Sequence, residues 1–450
     1  MNKNLKHTVL TLFPSAVCNL NCTYCNISKN KALIEIDKEL EDFFNNPDYI
    51  MQRVHKYFEP CALTTLETWG GEPFLHMDRI YKVLPRLVED YPYLQNFFSS
   101  TNFSFPTWIE QFFGLMHQFK QWPDRQFNYK LQISCDGPTE LNDLGRGKGT
   151  TLKCLENYAR LVESLEKKLP ANVNLSIVPK PTLNLETVRL LNTKEKIIEY
   201  YQFFEDCFIN LVNRLEFSNV QAYTNTPNMG VPCPATKEDG LYFAKFAKNC
   251  AEVSRHANKY FKYYTNVRPF SIYQKQTKNL TFYQSCIGCG MGYSNIGLLP
   301  QDKISVCNEG FVQTVKQYNE LRSQEQESGT IEKKTRQSKN QHHLCYSDDE
   351  YEKFEEQMCN FCYTANTSVL VGLCNQITLL ALSGQIDKQY IQQPNALHAA
   401  QVLAGEYFCL KDNYDITGSF SLIPVGLIRL LLNGALPYLE NNDENIQRRK

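Results

Sequence analysis

The chain has 450 residues, of which 42% are apolar and 12% aromatic, and its formal net charge is −1 at pH 7. Its length exceeds one ordinary domain, and its balanced charge argues against a nucleic-acid partner bound through phosphates. No run of about 18 apolar residues is present and the first 17 residues lack a secretory signal, so the sequence predicts a cytoplasmic protein that does not span a membrane.

The first half of the chain is predicted to alternate between short apolar strands and longer helices. The predicted strands are residues 8–13, 63–69, 96–102, 129–136, 173–178 and 215–220. The predicted helices are residues 33–57, 77–90, 107–121, 151–168 and 193–214. Such units pack as parallel strands joined by right-handed crossovers. The sequence therefore predicts an α/β fold, a partial (β/α)6 TIM-like barrel, whose active end lies at the carboxyl ends of the strands.

The second half is predicted to be a mostly helical, cysteine-rich C-terminal extension. Its predicted helices are residues 237–264, 365–382, 395–410 and 422–438, and the polar stretch 312–343 predicts a mobile insertion. We expect four parts. They are a barrel (1–235), a helical bridge (236–284), a cysteine-rich domain (285–375) and C-terminal helices (376–450).

Seventeen cysteines are unusual in a protein predicted to be cytoplasmic. Thiols stay reduced in that compartment, so a disulfide framework is not expected. Metal sites, catalysis and buried thiols are the remaining interpretations. We expect the scattered cysteines to be mainly core residues; these are Cys61, Cys135, Cys154, Cys207, Cys233 and Cys250.

Three cysteines lie within eight residues directly after the first predicted strand, in the stretch CNLNCTYC: Cys18, Cys22 and Cys25. A cubane iron–sulfur cluster usually has four thiolate ligands. Three thiolates would leave one iron open to an outside molecule. A structural zinc site is usually closed by four ligands, and the nearby His7 precedes the strand. Zinc and a coincidental thiol cluster are the alternatives.

This spacing, with Tyr24 before the last cysteine, resembles that of the radical S-adenosylmethionine (radical SAM) family. Two further stretches resemble the family's second- and third-strand motifs: WGGEP at 69–73 and SSTNFS at 99–104. The stretch ISCDGPTELNDLGRGKGT at 133–150 resembles the fourth-strand segment of the peptide-modifying branch. Its matching residues are Ser134, Asp136, Gly137, Pro138, Asp143 and Arg146.

The resemblance implies that the three cysteines hold a 4Fe–4S cluster whose open iron binds S-adenosylmethionine. It places Gly70, Gly71 and Glu72 around the methionine amino group, and Ser134 and Arg146 at the carboxylate or ribose. Asn102 is expected to reach the ribose. The full implied set of cofactor contacts is Tyr24, Gly70, Gly71, Glu72, Pro73, Asn102, Ser134 and Arg146.

The later cysteines resemble the SPASM extension of the same family, which binds one or two auxiliary 4Fe–4S clusters. The matching stretches are residues 285–311 and CNFC at 359–362. Lys303 stands where the pattern has glycine, and the closely spaced cysteine pair expected after Cys362 is missing. Zinc on cysteine pairs is the main alternative. The candidate ligands are Cys289, Cys307, Cys359 and Cys362, then Cys286 and Cys374, and last Cys345 and Cys409.

The resemblance implies a radical SAM oxidoreductase that cleaves S-adenosylmethionine to a 5′-deoxyadenosyl radical and abstracts hydrogen from a peptide. Maturation of a ribosomally synthesised peptide (RiPP) is the favoured function. The alternatives are a sulfatase-type maturase, a small-molecule dehydrogenase and a non-catalytic metal-binding scaffold. Expected partners are a peptide or protein substrate, a flavodoxin or ferredoxin reductant, and a separate leader-peptide-binding protein. No residue stands out as a catalytic acid or base.

Overall fold

The main element of the fold, among the residues that the structure describes, is a nine-stranded sheet with the order β11-β10-β9-β1-β2-β3-β4-β5-β7. A separate pair, β6 and β8, forms a small parallel sheet. The strands are β1 (Val9–Ser15), β2 (Thr65–Gly70), β3 (Asn96–Thr101), β4 (Phe127–Ser134), β5 (Val173–Lys180), β6 (Thr182–Leu183), β7 (Val220–Ala222), β8 (Asn228–Met229), β9 (Asn295–Leu299), β10 (Lys303–Ser305) and β11 (Cys345–Ser347). This computed structural model describes residues 7–25, 33–224, 228–229, 246, 249, 253, 256–267, 295–305 and 345–347.

Helices connect the strands. They are α1 (Leu33–Phe44), α2 (Pro47–Tyr57), α3 (Asp78–Tyr81), α4 (Leu84–Asp90), α5 (Trp108–Gln118), α6 (Thr139–Arg146), α7 (Thr150–Lys168), α8 (Leu185–Leu190), α9 (Lys194–Phe204) and α10 (Asn210–Asn213), with a further short helix at Ala257–Tyr260. None of the helices in the described part of the chain has the length and apolar character needed to cross a bilayer.

Six strands pair in chain order, and every pair among them is parallel: β1, β2, β3, β4, β5 and β7. This confirms the predicted α/β class, and the layout is consistent with a partial TIM-like barrel. Parallel strands of this kind have their carboxyl ends, and the loops that follow them, at the same edge of the sheet. The predicted helical, cysteine-rich extension lies almost wholly outside the described residues.

Several predicted boundaries differ from the structure for local reasons. The predicted helix 33–57 is two helices, because Asn46 caps α2 by accepting a hydrogen bond from Tyr49 N and Pro47 opens that helix. The predicted helix 77–90 is likewise split into α3 and α4, with a proline in the first turn of α4. The sixth strand is present but is shifted from the predicted range 215–220 to Val220–Ala222, and Glu216, inside the predicted range, has a positive φ of 50°.

The sequence analysis did not foresee that β9 would extend the main sheet. β9 pairs with β1 in parallel, and β10 returns antiparallel to it. Arg53 of α2 is buried and holds this hairpin through its guanidinium, which donates to Leu299 O at 2.6 Å and Lys303 O at 3.0 Å. A stretch assigned to the cysteine-rich extension therefore contributes strands beside β1.

Aromatic residues anchor the segments that follow β2 and β3. Phe74 and Phe103 are fully buried, and both rings contact Trp108 of α5, at centroid distances of 5.2 and 3.9 Å. Offset contacts between aromatic rings add to the stabilisation from burial. The segments that carry the WGGEP and SSTNFS motifs therefore pack against the same part of the hydrophobic core, around Trp108.

A buried ion pair fixes the carboxyl end of β1. Arg79 of α3 lies 2.9 Å from the Asp37 carboxylate of α1, and its guanidinium also donates to Pro14 O at 2.8 Å. The other Asp37 oxygen accepts from Ala16 N at 2.8 Å. The pair therefore determines where the chain leaves β1 and begins the cysteine loop, which we define as residues 16–25.

We predict that Asp37→Ala lowers the free energy of unfolding by on the order of 3 kcal/mol, because Arg79 is then buried without its partner. Glu41→Ala is the matched control, since Glu41 also lies 3.5 Å from Arg79 but its side chain is 57% exposed; its loss should stay below about 1 kcal/mol. Chemical denaturation measures both. Equal, small losses would contradict a structural role for the Asp37–Arg79 pair.

Candidate functional site

The cysteine loop brings the three predicted thiols together at the carboxyl end of β1. Cys22 is buried, whereas Cys18 and Cys25 are partly exposed. Burial and then the nearby Glu72 carboxylate raise the pKa of Cys18 to about 12, and Cys22 and Cys25 add to that rise. Burial also raises the pKa of Cys22, although Arg146 opposes the shift. The three sulfurs are therefore close enough for their charges to interact.

Two glycines let the turn after β2 lie directly against the cysteine loop. Gly71 N donates to Ser15 O at 2.9 Å, and Glu72 N donates to Val17 O at 2.8 Å. A Cβ on Gly71 would lie 2.2 Å from Val17 O, and Gly70 has a φ of +132°. Both positions therefore require glycine. The Gly-Gly pair therefore lets the backbone of the turn after β2 approach the backbone of the cysteine loop closely.

Glu72 joins β2 to β3 through a buried carboxylate. Its oxygens accept hydrogen bonds from Thr101 Oγ1 at 2.8 Å, Asn102 N at 2.6 Å and Phe74 N at 3.2 Å. Burial raises the pKa of Glu72 to about 7, and these three donors oppose the shift. The sequence analysis placed Glu72 at the methionine amino group. In the structure its carboxylate accepts hydrogen bonds from protein donors and so connects the segments that follow β2 and β3 beside the cysteines.

Asn102 follows β3 and reaches the cysteine loop. Its Nδ2 lies 3.5 Å from Cys18 Sγ and 2.7 Å from Asn19 Oδ1. The predicted contact between Asn102 and a ribose stays a prediction, and the structure shows its amide at the sulfur of the first cysteine.

Asp136 connects the far end of the cysteine loop to β4 and α6. The Tyr24 hydroxyl donates to its carboxylate, Arg146 Nη2 lies 2.8 Å from Oδ1, and Thr182 N donates to Oδ1 at 2.8 Å. Burial works against the charge of Arg146, but Asp136 outweighs this and raises the pKa of Arg146 well above its usual value. The guanidinium carbon is 5.5 Å from the centre of the Tyr24 ring, a cation–π distance.

The backbone of α6 also contacts the cysteine loop. Thr23 N donates to Gly145 O at 2.8 Å. A Cβ on Gly145 would lie 2.7 Å from the Tyr24 ring, so glycine is needed for this contact. The loop is thus held on one side by the turn after β2 and on the other by α6.

The remaining predicted cofactor contacts lie at neighbouring strand ends. Pro73 is buried and opens a short 3-10 turn after Glu72. Ser134 is the last residue of β4 and pairs in register with Lys180 at the end of β5. The sequence analysis did not single out Lys180, although a lysine that continues the alternation of the strand predicted at 173–178 was a visible signal.

Charged side chains line one face of the sheet near this edge. Glu67 Oε2 accepts from Trp69 Nε1 at 3.3 Å and Asn295 Nδ2 at 3.2 Å. Lys130 Nζ lies 5.4 Å from the centre of the Phe98 ring. Burial lowers the pKa of Lys180 to about 8; the charge of Lys130 lowers it further and Glu67 opposes the shift. Glu67, Lys130 and Lys180 therefore place charged groups on one face of the sheet.

The three thiols and Arg146 are the groups that would have to fit an iron–sulfur cluster and S-adenosylmethionine. Among the described residues, no three Cys, His, Asp or Glu side chains are placed to bind a single metal ion together. A cubane does not require this, because each of its thiolate ligands binds a different iron atom. Arg146 Nε is buried and has no hydrogen-bond partner within the described part of the chain. Three thiols and a buried, unpaired N–H fit a cluster and an anionic ligand group.

The cysteines outside the loop differ in exposure. Cys135 and Cys154 are buried, as expected for core thiols, whereas Cys207 is partly exposed and Cys61 is exposed. Cys345 lies in β11, where it pairs in register with Ser305. The other candidate ligands of auxiliary clusters lie outside the described residues: Cys286, Cys289, Cys307, Cys359, Cys362, Cys374 and Cys409.

Solved structures of two proteins, anSMEcpe and SuiB, are similar to this chain. Native anSMEcpe with bound AdoMet is 15% identical, with 84% of this chain and 100% of that chain covered and a TM-score of 0.40. Streptococcus suis SuiB is 14% identical, with 67% and 60% covered and a TM-score of 0.38. A further structure contains anSMEcpe with AdoMet and the Cp18Cys peptide, at 16% identity, 84% and 100% coverage and a TM-score of 0.40. No family model and no curated protein matches.

We predict that Lys180 reacts with acetic anhydride at a rate that rises with a midpoint near pH 8, because only the neutral amine is a nucleophile. The control is Lys196, whose pKa is raised by its hydrogen bond to Glu199 and which should react only at higher pH. Glu67→Gln should move the Lys180 midpoint lower, since Glu67 stabilises the charged amine. Mass spectrometry of peptides measures each site. A Lys180 midpoint equal to that of Lys196 would contradict the burial described here.

Proposed function

We propose that the chain is a radical SAM enzyme that modifies a peptide or protein and acts in the maturation of a ribosomally synthesised peptide. The observation that carries the proposal is the cysteine loop. Its three thiols lie at the carboxyl end of β1, and hydrogen bonds tie the loop to the segments that follow β2, β3 and β4. The proposed fold is a partial (β/α)6 barrel, in which these strand ends surround one site.

S-adenosylmethionine and a reduced 4Fe–4S cluster, when bound, would supply a 5′-deoxyadenosyl radical that can take a hydrogen atom from a substrate. In this proposal Cys18, Cys22 and Cys25 hold the cluster. Burial disfavours an isolated thiolate at Cys18 and Cys22, and coordination to iron would stabilise the ionised form.

Arg146 is the residue we propose for the carboxylate of the cofactor, with Ser134 beside it. The guanidinium is buried and held by Asp136, yet its Nε has no partner among the described residues. A fixed guanidinium with a spare N–H suits a carboxylate. We propose the turn Gly70–Pro73 for the methionine amino group, with backbone carbonyl oxygens as acceptors, and the Tyr24 ring for the nucleoside part.

The substrate is proposed to lie against the polar face that carries Glu67, Lys130 and Lys180. Auxiliary 4Fe–4S clusters are proposed on the later cysteines, and the β9–β10 hairpin falls between two of them, Cys289 and Cys307, in the sequence. A flavodoxin or ferredoxin would supply electrons, and a separate protein would bind a leader peptide. The proposed location is the cytoplasm.

The proposal predicts that Cys22→Ala abolishes formation of 5′-deoxyadenosine from S-adenosylmethionine under anaerobic reduction with dithionite. Two remaining thiolates should hold the cluster poorly. Liquid chromatography with mass spectrometry measures the product. Cys61→Ala is the matched control, because Cys61 is exposed and lies outside the cysteine loop; it should keep the wild-type rate. Wild-type activity in the Cys22 variant would place the radical chemistry elsewhere.

A second prediction concerns iron. The protein isolated without oxygen should be brown and contain about eight to twelve iron atoms, from two or three cubanes. Replacing Cys359 and Cys362 together with Ala should remove about four of them and leave some 5′-deoxyadenosine formation. A circular-dichroism melt shows whether the variant remains folded. About four irons in the wild type, together with bound zinc, would contradict the auxiliary clusters.

A further inference from the structure

Asn102 donates from its side chain directly to one of the proposed cluster ligands. Its Nδ2 lies 3.5 Å from Cys18 Sγ, and a second donor, Leu20 N, lies 3.4 Å from the same sulfur. The Asn102 amide has two hydrogens, and the other is directed to Asn19 Oδ1 at 2.7 Å. One asparagine therefore serves both a sulfur and an oxygen of the cysteine loop.

The neighbouring donors determine which way the Asn102 amide points. Asn102 Oδ1 accepts from Ser104 N at 3.0 Å and from Ser104 Oγ at 2.7 Å. A backbone N–H can only donate, so the atom facing it must be the oxygen, and the NH₂ group must face the sulfur. Asn19 Nδ2 closes the ring of hydrogen bonds by donating to Ser104 Oγ at 3.0 Å.

The backbone around Asn102 is equally constrained. Asn102 N donates to the Glu72 carboxylate at 2.6 Å, and the side chain of Thr101 donates to the same carboxylate. Phe103 has a positive φ of 59°, a conformation that its fully buried ring and its neighbours maintain. The Asn102 amide is thus a preorganised donor that does not depend on a flexible side chain.

We infer that Asn102 tunes the reduction potential of the cluster held by the cysteine loop, by donating a hydrogen bond to Cys18 Sγ. This inference rests on the proposed function. Reduction adds negative charge to the cluster and its thiolate ligands, so an N–H donor stabilises the reduced form more than the oxidised form and raises the potential. Asn102 is a positioning residue in this role, because it acts through Cys18.

The test is a redox titration of anaerobically prepared full-length protein. The titration is monitored through the electron paramagnetic resonance signal that changes when S-adenosylmethionine is added. That response identifies the cluster with an open iron and separates it from auxiliary clusters. Asn102→Leu removes the donor at similar side-chain volume. We expect its signal to persist with a midpoint potential more negative than that of the wild type.

Two matched controls separate the hydrogen bond to sulfur from general damage. Ser104→Ala breaks the ring of hydrogen bonds but leaves Ser104 N to orient the Asn102 amide, so the potential should stay near the wild-type value. Asn128→Leu changes an asparagine near the amino end of β4, where its amide bonds Asn96 Oδ1, and should not move the potential.

The outcomes are distinct. An unchanged potential in Asn102→Leu, or an equal shift in Ser104→Ala, overturns the inference. If Asn102→Leu loses the signal, the smaller Asn102→Ala removes the donor without adding bulk or charge, and an unchanged potential in that variant overturns the inference instead. A wild-type protein without a signal that responds to S-adenosylmethionine contradicts the proposed function rather than the role of Asn102 alone.

Discussion

The cysteine loop depends on three buried carboxylates. Asp37 holds the first residue of the loop, Ala16. Glu72 holds Asn102, which follows β3 and faces Cys18, and Asp136 holds Tyr24 near the end of the loop. Two of the three thiols, Cys18 and Cys25, are partly exposed, so packing in an apolar core does not account for the stability of the loop. Hydrogen bonds to fixed, buried acceptors provide the stability instead, and each bond to a charged acceptor is stronger than a neutral one.

Burying three carboxylates costs free energy of desolvation, and neighbouring arginines and hydrogen-bond donors offset that cost. Asp37 and Asp136 are each paired with an arginine, whereas Glu72 accepts three hydrogen bonds and has a pKa raised to about 7. The result is a loop whose shape is set by its surroundings. Preorganised ligands avoid the loss of conformational entropy that a flexible loop would incur on binding a cofactor.

The β9–β10 hairpin also stabilises the strand that leads into the cysteine loop. It lies beside β1, and Arg53 ties it to α2, so that a segment nearly three hundred residues away in sequence borders the strand that leads into the cysteine loop. Asn295 of β9 also donates to Glu67, a charged residue of the polar face. The proposed substrate-binding face is therefore completed by the second half of the chain.

The sequence by itself determined the α/β class, the order of the six parallel strands and the position of the three thiols after the first strand, because these follow from local alternation, turn residues and spacing. It could not show that Gly71 approaches the cysteine loop, that Glu72 binds protein donors, or that Asp136 pairs with Arg146. Those contacts join residues brought together only by the parallel sheet. The hairpin beside β1 and the partly buried position of Lys180 were also decided by tertiary structure. Pairing partners and desolvation depend on what surrounds a residue rather than on its neighbours in sequence.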